Sequence, residues 1–230
     1  MSKLQRFFVE NKLNKGEDLL ISDTNLVHQL FHVFRKKKGD HIILLDNSGF
    51  EYLAEIFSIN KKEIEVKILD EKEVKNIARN KITLFASLIK KDKFEWVLEK
   101  CTELGVSKFV PIISERSEKK GLNIERANKI LKEASEQSER GRIPEICEPI
   151  TLKKALKDFN SKAVVLHLEG QQFNEKEFEG DLGIFIGPEG GWGEEDIKIF
   201  EENEIPLVCL GSQVLRAETA SVAICAKILL

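Results

Sequence analysis

The sequence predicts an α/β protein in two parts: a small antiparallel β-unit, then a mostly parallel sheet covered by helices. Three observations predict it. Before about residue 72, short stretches alternate charged and apolar residues at the period of half-buried strands, as in Glu63-Ile64-Glu65-Val66-Lys67-Ile68. After it, continuous apolar runs suited to strands buried on both faces alternate with helical segments. Finally, two late apolar runs, Leu182–Ile186 and Pro206–Leu210, each empty into a glycine-marked loop that opens a helix. Ligands of α/β sheets bind outside the carboxyl ends of the strands, so a site is expected at those exits.

In the first part, residues 1–72, Phe7-Phe8-Val9 supplies a strand. Asp23 or Thr24 can cap a short helix carrying Leu26, Leu30, Val33 and Phe34 at helical spacing. Strands follow over His41–Leu45 and Phe50–Ile59, joined by a turn at Asp46-Asn47-Ser48-Gly49. Asn60-Lys61-Lys62 turns the chain into the alternating strand at Glu63–Ile68. Together these read as a small barrel with one inserted helix. The charged stretch Asp70–Asn76 reads as a linker into the second part, residues 73–230.

There Ile82–Ile89 reads as a buried strand. A helix then carries Phe94, Val97, Leu98, Cys101 and Leu104 until Gly105 stops it. Phe109–Ile113 is the next strand, and a polar helix spans Ile124–Glu139. Thr151 can cap a helix with Leu152, Ala155 and Leu156 on its inner face. Strands at Ala163–Leu168, Leu182–Ile186 and Leu207–Leu210 follow, with a helix from Glu194 to Asn203 before the last. The final helix, Glu218–Leu230, is small and apolar nearly all round, so it needs cover on every side, from the domain, from a second subunit, or from both.

Composition narrows the function classes. With 42% hydrophobic and 33% charged residues the chain reads as soluble and globular. No apolar run approaches the roughly 20 residues of a membrane span. The first residues lack the apolar core of a signal peptide. Cys101, Cys147, Cys209 and Cys225 are scattered, without a C-x-x-C pair, and read as buried reduced thiols of a cytoplasmic protein, not as a disulfide framework or zinc site. A net charge of −3, from 36 basic and 39 acidic residues, lends a nucleic-acid partner no bulk support. Any such claim rests on local patches. His28 and His32 stand at i and i+4, but there is no H-E-x-x-H and no third ligand, so no metal is expected. Trp96 and Trp192 read as packing residues, with Trp192 close enough to the glycine loop to leave a second role open.

Gly187-Pro188-Glu189-Gly190-Gly191-Trp192-Gly193 holds four glycines in seven residues. It fits phosphate binding badly. A P-loop needs Lys and Ser/Thr after its last glycine, and the dinucleotide fingerprint is G-x-G-x-x-G after a first strand. Glu189, Glu194, Glu195 and Asp196 would also repel phosphate. A ligand with hydroxyls, a base edge or a positive charge suits the loop better, and a tight turn for chain reversal serves equally well. The second exit loop tips the balance. In Leu215-Arg216-Ala217-Glu218-Thr219-Ala220, the residues Glu218 and Thr219 suit a helix start, whereas a cation there is unfavourable. Arg216 therefore asks for an anionic partner, or for an anion that develops in a reaction.

These paired loops, Gly187-Pro188-Glu189-Gly190-Gly191 and Leu210-Gly211 with Leu215–Ala220, resemble the signature of the RsmE-type 16S rRNA (uracil-N3) methyltransferases of the SPOUT superfamily. Arg6-Phe7-Phe8-Val9, His28–Arg35 with Gly39-Asp40, and Lys100–Val106 resemble further family segments, with Phe34 where Leu is usual and Cys101 for Ala. Arg116-Ser117, Glu136-Gln137-Ser138, Arg140 and Pro144 also fall in place, so the likeness spans essentially the whole chain.

The resemblance implies a PUA-like β-barrel for RNA contact, then an α/β domain with a deep trefoil knot. It implies S-adenosylmethionine bound in that knot and a homodimer with its interface beside the site. The chain ends at Leu230, earlier than members usually do, so the dimer's outer edge is expected to differ. By motif position Leu168, Gly187, Pro188, Glu189, Gly190, Gly191, Leu210, Gly211, Leu215 and Thr219 are expected at the cofactor, most through backbone groups. The acceptor is expected to be N3 of a uridine in 16S rRNA of the small ribosomal subunit, uridine 1498 in the usual rRNA count. Arg216 would stabilise the charge left when N3 loses its proton, and Glu189 or Glu218 would take that proton. Arg6, Arg35, Lys36, Lys37 and Lys38 in the first part, and Lys90, Lys91, Lys93, Arg140 and Arg142 in the second, are RNA-backbone candidates or simply solvated charges. Two other readings compete: a SPOUT enzyme acting on tRNA or another rRNA base, and a non-catalytic RNA-binding module. Mapping the modified nucleotide separates the first two, and cofactor titration separates the third.

Overall fold

A computed structural model describes residues 4–74, 81–117, 121–174, 176 and 180–230. The chain forms two compact units, Met1–Ile77 with Ser135–Ile143, and Ala78–Ala134 with Pro144–Leu230.

The first unit is a curled sheet in the order β1-β3-β4-β5-β2, formed by β1 (Arg6–Phe8), β2 (Asp18–Ile21), β3 (His41–Leu45), β4 (Phe50–Ile59) and β5 (Ile64–Glu73). β1 runs parallel to β3, and the other pairs are antiparallel. Alternation in β4 and β5 buries Tyr52, Ala54, Ile56, Ile64, Val66 and Ile68 in one core with Phe7, Leu30 and Leu44. A second cluster, Phe8, Ile43 and Leu45, lies on the other face of β1 and β3 with Ile143 against it. The segment Ser135–Ile143 is therefore built into this unit. Phe8 N–H donates to Glu136 Oε1 at 2.8 Å, and Ile143 N–H donates to Asn47 Oδ1 at 2.8 Å.

Two expectations change here, and one strand went unread. Asp70–Glu73 are not linker but the end of β5, because the ten-residue β4 offers them partners as far as Phe50; Lys75 and Asn76 lie outside the described residues. β2 carries no alternation strong enough to read, and pairing with β5 alone makes it a strand. Asp23 does cap α1 (Thr24–His28), its carboxylate accepting from Leu26 N–H at 2.7 Å, but the next turn is a π-turn over Gln29–Val33. That wider turn keeps Leu30 buried and swings Val33 and Phe34 out to 60% and 40% exposure. The curled sheet has β1 and β2 at the ends of its strand order.

The second unit is a parallel sheet ordered β12-β10-β11-β6-β7-β8, with β9 also on β7. Its strands are β6 (Ile82–Ser87), β7 (Lys108–Ile113), β8 (Glu145–Ile146), β9 (Ile150–Thr151), β10 (Lys162–Gln172), β11 (Leu182–Ile186) and β12 (Leu207–Cys209). Its helices are α2 (Lys91–Leu104), α3 (Ile124–Gln137, ending in the first unit), α4 (Leu152–Asp158), α5 (Glu194–Glu202) and α6 (Ala217–Leu229). Gly105 ends α2 at φ 115°, a left-handed cap that favours glycine. Phe85 stacks on Phe185 at 4.3 Å, and Phe200 meets Phe185 and Trp192 edge-on, centring one core. Trp96 is not a packing residue: it stands off the buried stripe of Phe94, Val97 and Leu98 and is 41% exposed. α6 buries Ala217, Ala220, Ser221, Ile224 and Cys225, while Val222, Ala223, Ala226, Ile228 and Leu229 stay half-buried. Among the described residues no helix is long and apolar enough to cross a membrane.

β12 has an unusual neighbour relation. Val208 is in register with both Leu166 and Gln171 of β10. Val165 N–H donates to Pro206 O at 3.0 Å, and Phe173 N–H donates to Cys209 O at 2.9 Å. Between these contacts the chain passes so close to β12 that a Cβ on Gly170 would lie 2.5 Å from the Val208 nitrogen. Only glycine fits there.

Candidate active site

The middle of β10, which continues past the expected end at Leu168 to Gln172, and the carboxyl ends of β11 and β12 open into one cleft of about 560 Å³ in the second unit, within the range of roughly 300–1,000 Å³ usual for small-molecule sites. Three segments line it: Leu166–Glu169 of β10, the glycine loop after β11, and the loop from Leu210 into α6. The glycine loop is shaped by what its glycines lack. Gly191 turns at φ 70°, and a Cβ on Gly187 would press on the Trp192 indole at 3.2 Å. Trp192 is 5% exposed and donates from Nε1 to Leu166 O at 3.1 Å, tying this loop to the middle of β10. Gly211 turns at φ 148° in the third loop.

Most of the expected cofactor residues meet here: Leu168, Gly187, Pro188, Glu189, Gly190, Gly191, Leu210, Gly211 and Leu215 all line the cleft, as does Arg216. Thr219 and Glu218 are not in the lining. Glu218 points to α2, where Lys93 Nζ stands 3.3 Å from Oε1 while Oε2 is buried without a hydrogen-bond partner. Glu189 is exposed at the rim and accepts from Lys90 N–H at 3.5 Å. Arg216 precedes α6 at φ −65° and ψ 152°, is exposed, and among the described residues has no carboxylate partner. Leu166, His167, Glu169, Gln213 and Val214 also line the cleft and went unread. Their only signal is nearness to the strand exits. Exposed Leu168, Val214 and Leu215 make part of the lining apolar.

The basic candidates divide. Arg6 is committed inside the first unit, 3.2 Å from Glu51 and 3.1 Å from Glu139. Lys36 donates to His41 O at 3.4 Å, Lys93 is held by Glu218, and Arg142 donates to Ser48 O. Burial lowers the Arg140 guanidinium pKa to about 10. Arg35, Lys37, Lys38 and Lys90 are exposed. Among the described residues no group of three or more His, Cys, Asp or Glu could hold a metal ion.

A family model described as an RNA methyltransferase domain matches residues 76–229, and one described as an RNA methyltransferase PUA domain matches residues 21–69. The chain is 30% identical over 235 residues to ribosomal RNA small subunit methyltransferase E of Rickettsia conorii, covering 98% of this chain and 95% of that protein. It is 34% identical over 221 residues to the protein of that name from Helicobacter pylori, covering 94% and 96%. The solved structure of the Neisseria gonorrhoeae protein of that name, bound to S-adenosylmethionine, superposes with a TM-score of 0.91 at 29% identity, covering 98% and 96%. A Legionella pneumophila methyltransferase in complex with the same cofactor gives 0.90 at 26%, covering 98% and 97%.

Proposed function

The chain belongs to the ribosomal RNA small subunit methyltransferase E family, and from that premise we propose that its acceptor is N3 of a uridine in 16S rRNA, at the position counted as 1498. It is an S-adenosylmethionine-dependent methyltransferase of small-subunit ribosomal RNA. The cofactor supplies a methyl group on a positively charged sulfur. The cleft fits it: Gly187, Gly190, Gly191 and Gly211 bring no side chain between ligand and backbone, and Leu168, Leu210 and Leu215 offer apolar walls to an adenine. Glu169 and Glu189 suit a cation and repel phosphate.

The observation that carries the acceptor chemistry is Arg216, an exposed guanidinium in the cleft lining with no carboxylate partner among the described residues. Loss of the N3 proton spreads negative charge over N3, O2 and O4 of a uracil. A guanidinium held beside the base would stabilise that anion. Of the two carboxylates considered, Glu189 is in the cleft lining, and Glu218 is occupied by Lys93, so Glu189 is the proton acceptor in this reading.

The same reading includes a trefoil knot, a barrel in the first unit for RNA contact, a homodimer and a cytoplasmic location. Supporting the knot, two segments of β10 bracket β12 at Val208. The half-buried face of α6 supports the homodimer. Arg216→Ala should retain cofactor binding and lose methyl transfer by roughly 10²–10³-fold, the usual cost of one anion-stabilising donor. Single-turnover rates near wild type would overturn the role. Mass mapping of modified nucleotides in a strain lacking the protein should show an unmethylated uridine in 16S rRNA. An intact 16S rRNA with a missing tRNA methyl group would overturn the substrate.

A further inference from the structure

The turn after β7, Ser114–Ser117, makes no part of the cleft lining, yet it holds the glycine loop at Gly190 and the start of α5 at Glu195. The turn is braced internally: Ser117 N–H donates to Ser114 O at 3.1 Å, and the two Oγ atoms lie 2.8 Å apart. From it, Arg116 Nη1 donates to Gly190 O at 3.0 Å. Beyond Gly191 the Glu115 side chain occupies the space a Gly193 side chain would need, since a Cβ there would overlap its carboxylate. Glu115 Oε2 accepts from Glu195 N–H at 3.1 Å in the first turn of α5. Asp196 replies: its buried carboxylate accepts from Glu115 N–H at 3.1 Å and from Gly193 N–H at 3.2 Å. The contacts thus fall on either side of Gly191, the left-handed residue on which the loop turns.

We propose that Glu115 and Arg116 form a latch that sets the glycine loop in its cofactor-binding shape, acting as positioning residues for the transfer. The proposal rests on the reading of this cleft as the S-adenosylmethionine site. Gly190 and Gly191 have no side chains to hold their own conformation, and each freely rotating residue costs binding free energy when it is ordered. The Gly190 carbonyl held by Arg116, and the start of α5 held by Glu115 through Glu195 N–H, anchor the loop on both sides and remove that freedom before the ligand arrives.

Calorimetric titration of the whole protein with S-adenosylmethionine, paired with thermal unfolding and amide exchange of the free protein, tests it. Arg116→Ala and Glu115→Ala should each weaken binding roughly fivefold, the loss of about one net hydrogen bond. Glu115→Gln, which keeps the acceptor, should bind like wild type. The Arg116→Ala unfolding midpoint should stay within about 2 °C of wild type, as for a surface substitution. Exchange at the Glu195 amide should rise in Glu115→Ala. Unchanged affinity and unchanged exchange overturn the latch. So does weakened binding in Arg116→Ala that tracks an equal loss of folding stability. If Glu115→Ala does not fold, Arg116→Ala decides. Should the wild-type protein itself fail to bind the cofactor, the reading of the cleft falls, while exchange in the free variants still decides the latch.

Discussion

At the residue scale, Asp196 keeps its carboxylate where burial opposes the charge, and burial, helped by nearby Glu115, raises its pKa against the N–H groups of Gly193 and Glu115 that lower it. The net direction is upward from an ordinary 3.8. A raised acid contributes stability below its unfolded pKa and loses it as pH rises through the folded value. Asp196→Asn keeps an acceptor and removes the titration. Its stability relative to wild type should therefore improve as pH climbs from below 3.8 through that raised value; paired thermal melts across this range check it, and a pH-independent difference would refute it. Two glycines are set by neighbours alone. A Cβ on Gly141 would sit 2.8 Å from Val74 Cγ2, and one on Gly170 would sit 2.5 Å from the β12 backbone. The glycine loop and Arg216 were legible as residue types that ordinary turns and helix starts do not explain. Glu115 was not, because nothing local in Ser114-Glu115-Arg116 reveals a carboxylate that accepts from Glu195 N–H and fills the space beside Gly193 far along the chain.

At the element scale, α6 is held to α2 by groups of opposite character. Near its start Lys93 faces Glu218, with side chains only 25% and 13% exposed. Further along, the Cys225 thiol beside Cys101, together with burial, pushes the Cys101 thiol well above its ordinary range, which keeps it protonated and unreactive. Lys93→Met should leave the Glu218 carboxylate buried and alone and cost about 2–3 kcal/mol. Adding Glu218→Leu should recover most of that, because an apolar pair replaces an ion pair at little net cost. Denaturant unfolding of both variants measures it. The boundaries of α2 and α5 were readable within a residue or two because apolar spacing and a terminal glycine agree there. The π-turn at Gln29–Val33 was not, since one extra residue in a turn leaves the apolar spacing of α1 nearly unchanged while rotating Val33 and Phe34 outward.

At the scale of the whole molecule, a net charge of −3 leaves RNA affinity to local cations. Arg35, Lys37, Lys38 and Lys90 are exposed, whereas Arg6 is bound by Glu51 and Glu139. Binding to 16S rRNA should weaken steeply with salt. A combined Arg35→Ala, Lys37→Ala and Lys38→Ala variant should flatten the log–log salt slope by about 0.7–0.9 for each phosphate contact removed. Arg6→Ala should lower stability and leave the slope in place. Filter binding across a salt series separates the two; a slope unmoved by the triple variant would remove that run from the interface.

What the sequence by itself determined is everything carried by short-range regularity: the change from alternating to continuous strands, the helix stops, and two glycine-marked exits with an unexplained arginine. These follow from periodicity and backbone sterics, which act over a few residues. What only the tertiary structure decided is which exits share a cleft, that β12 lies against two segments of β10, that Ser135–Ile143 covers the first sheet, and that Glu218 belongs to Lys93. Each of those depends on groups far apart in the chain, brought together by burial and hydrogen-bond satisfaction, and no local pattern encodes the distance between them.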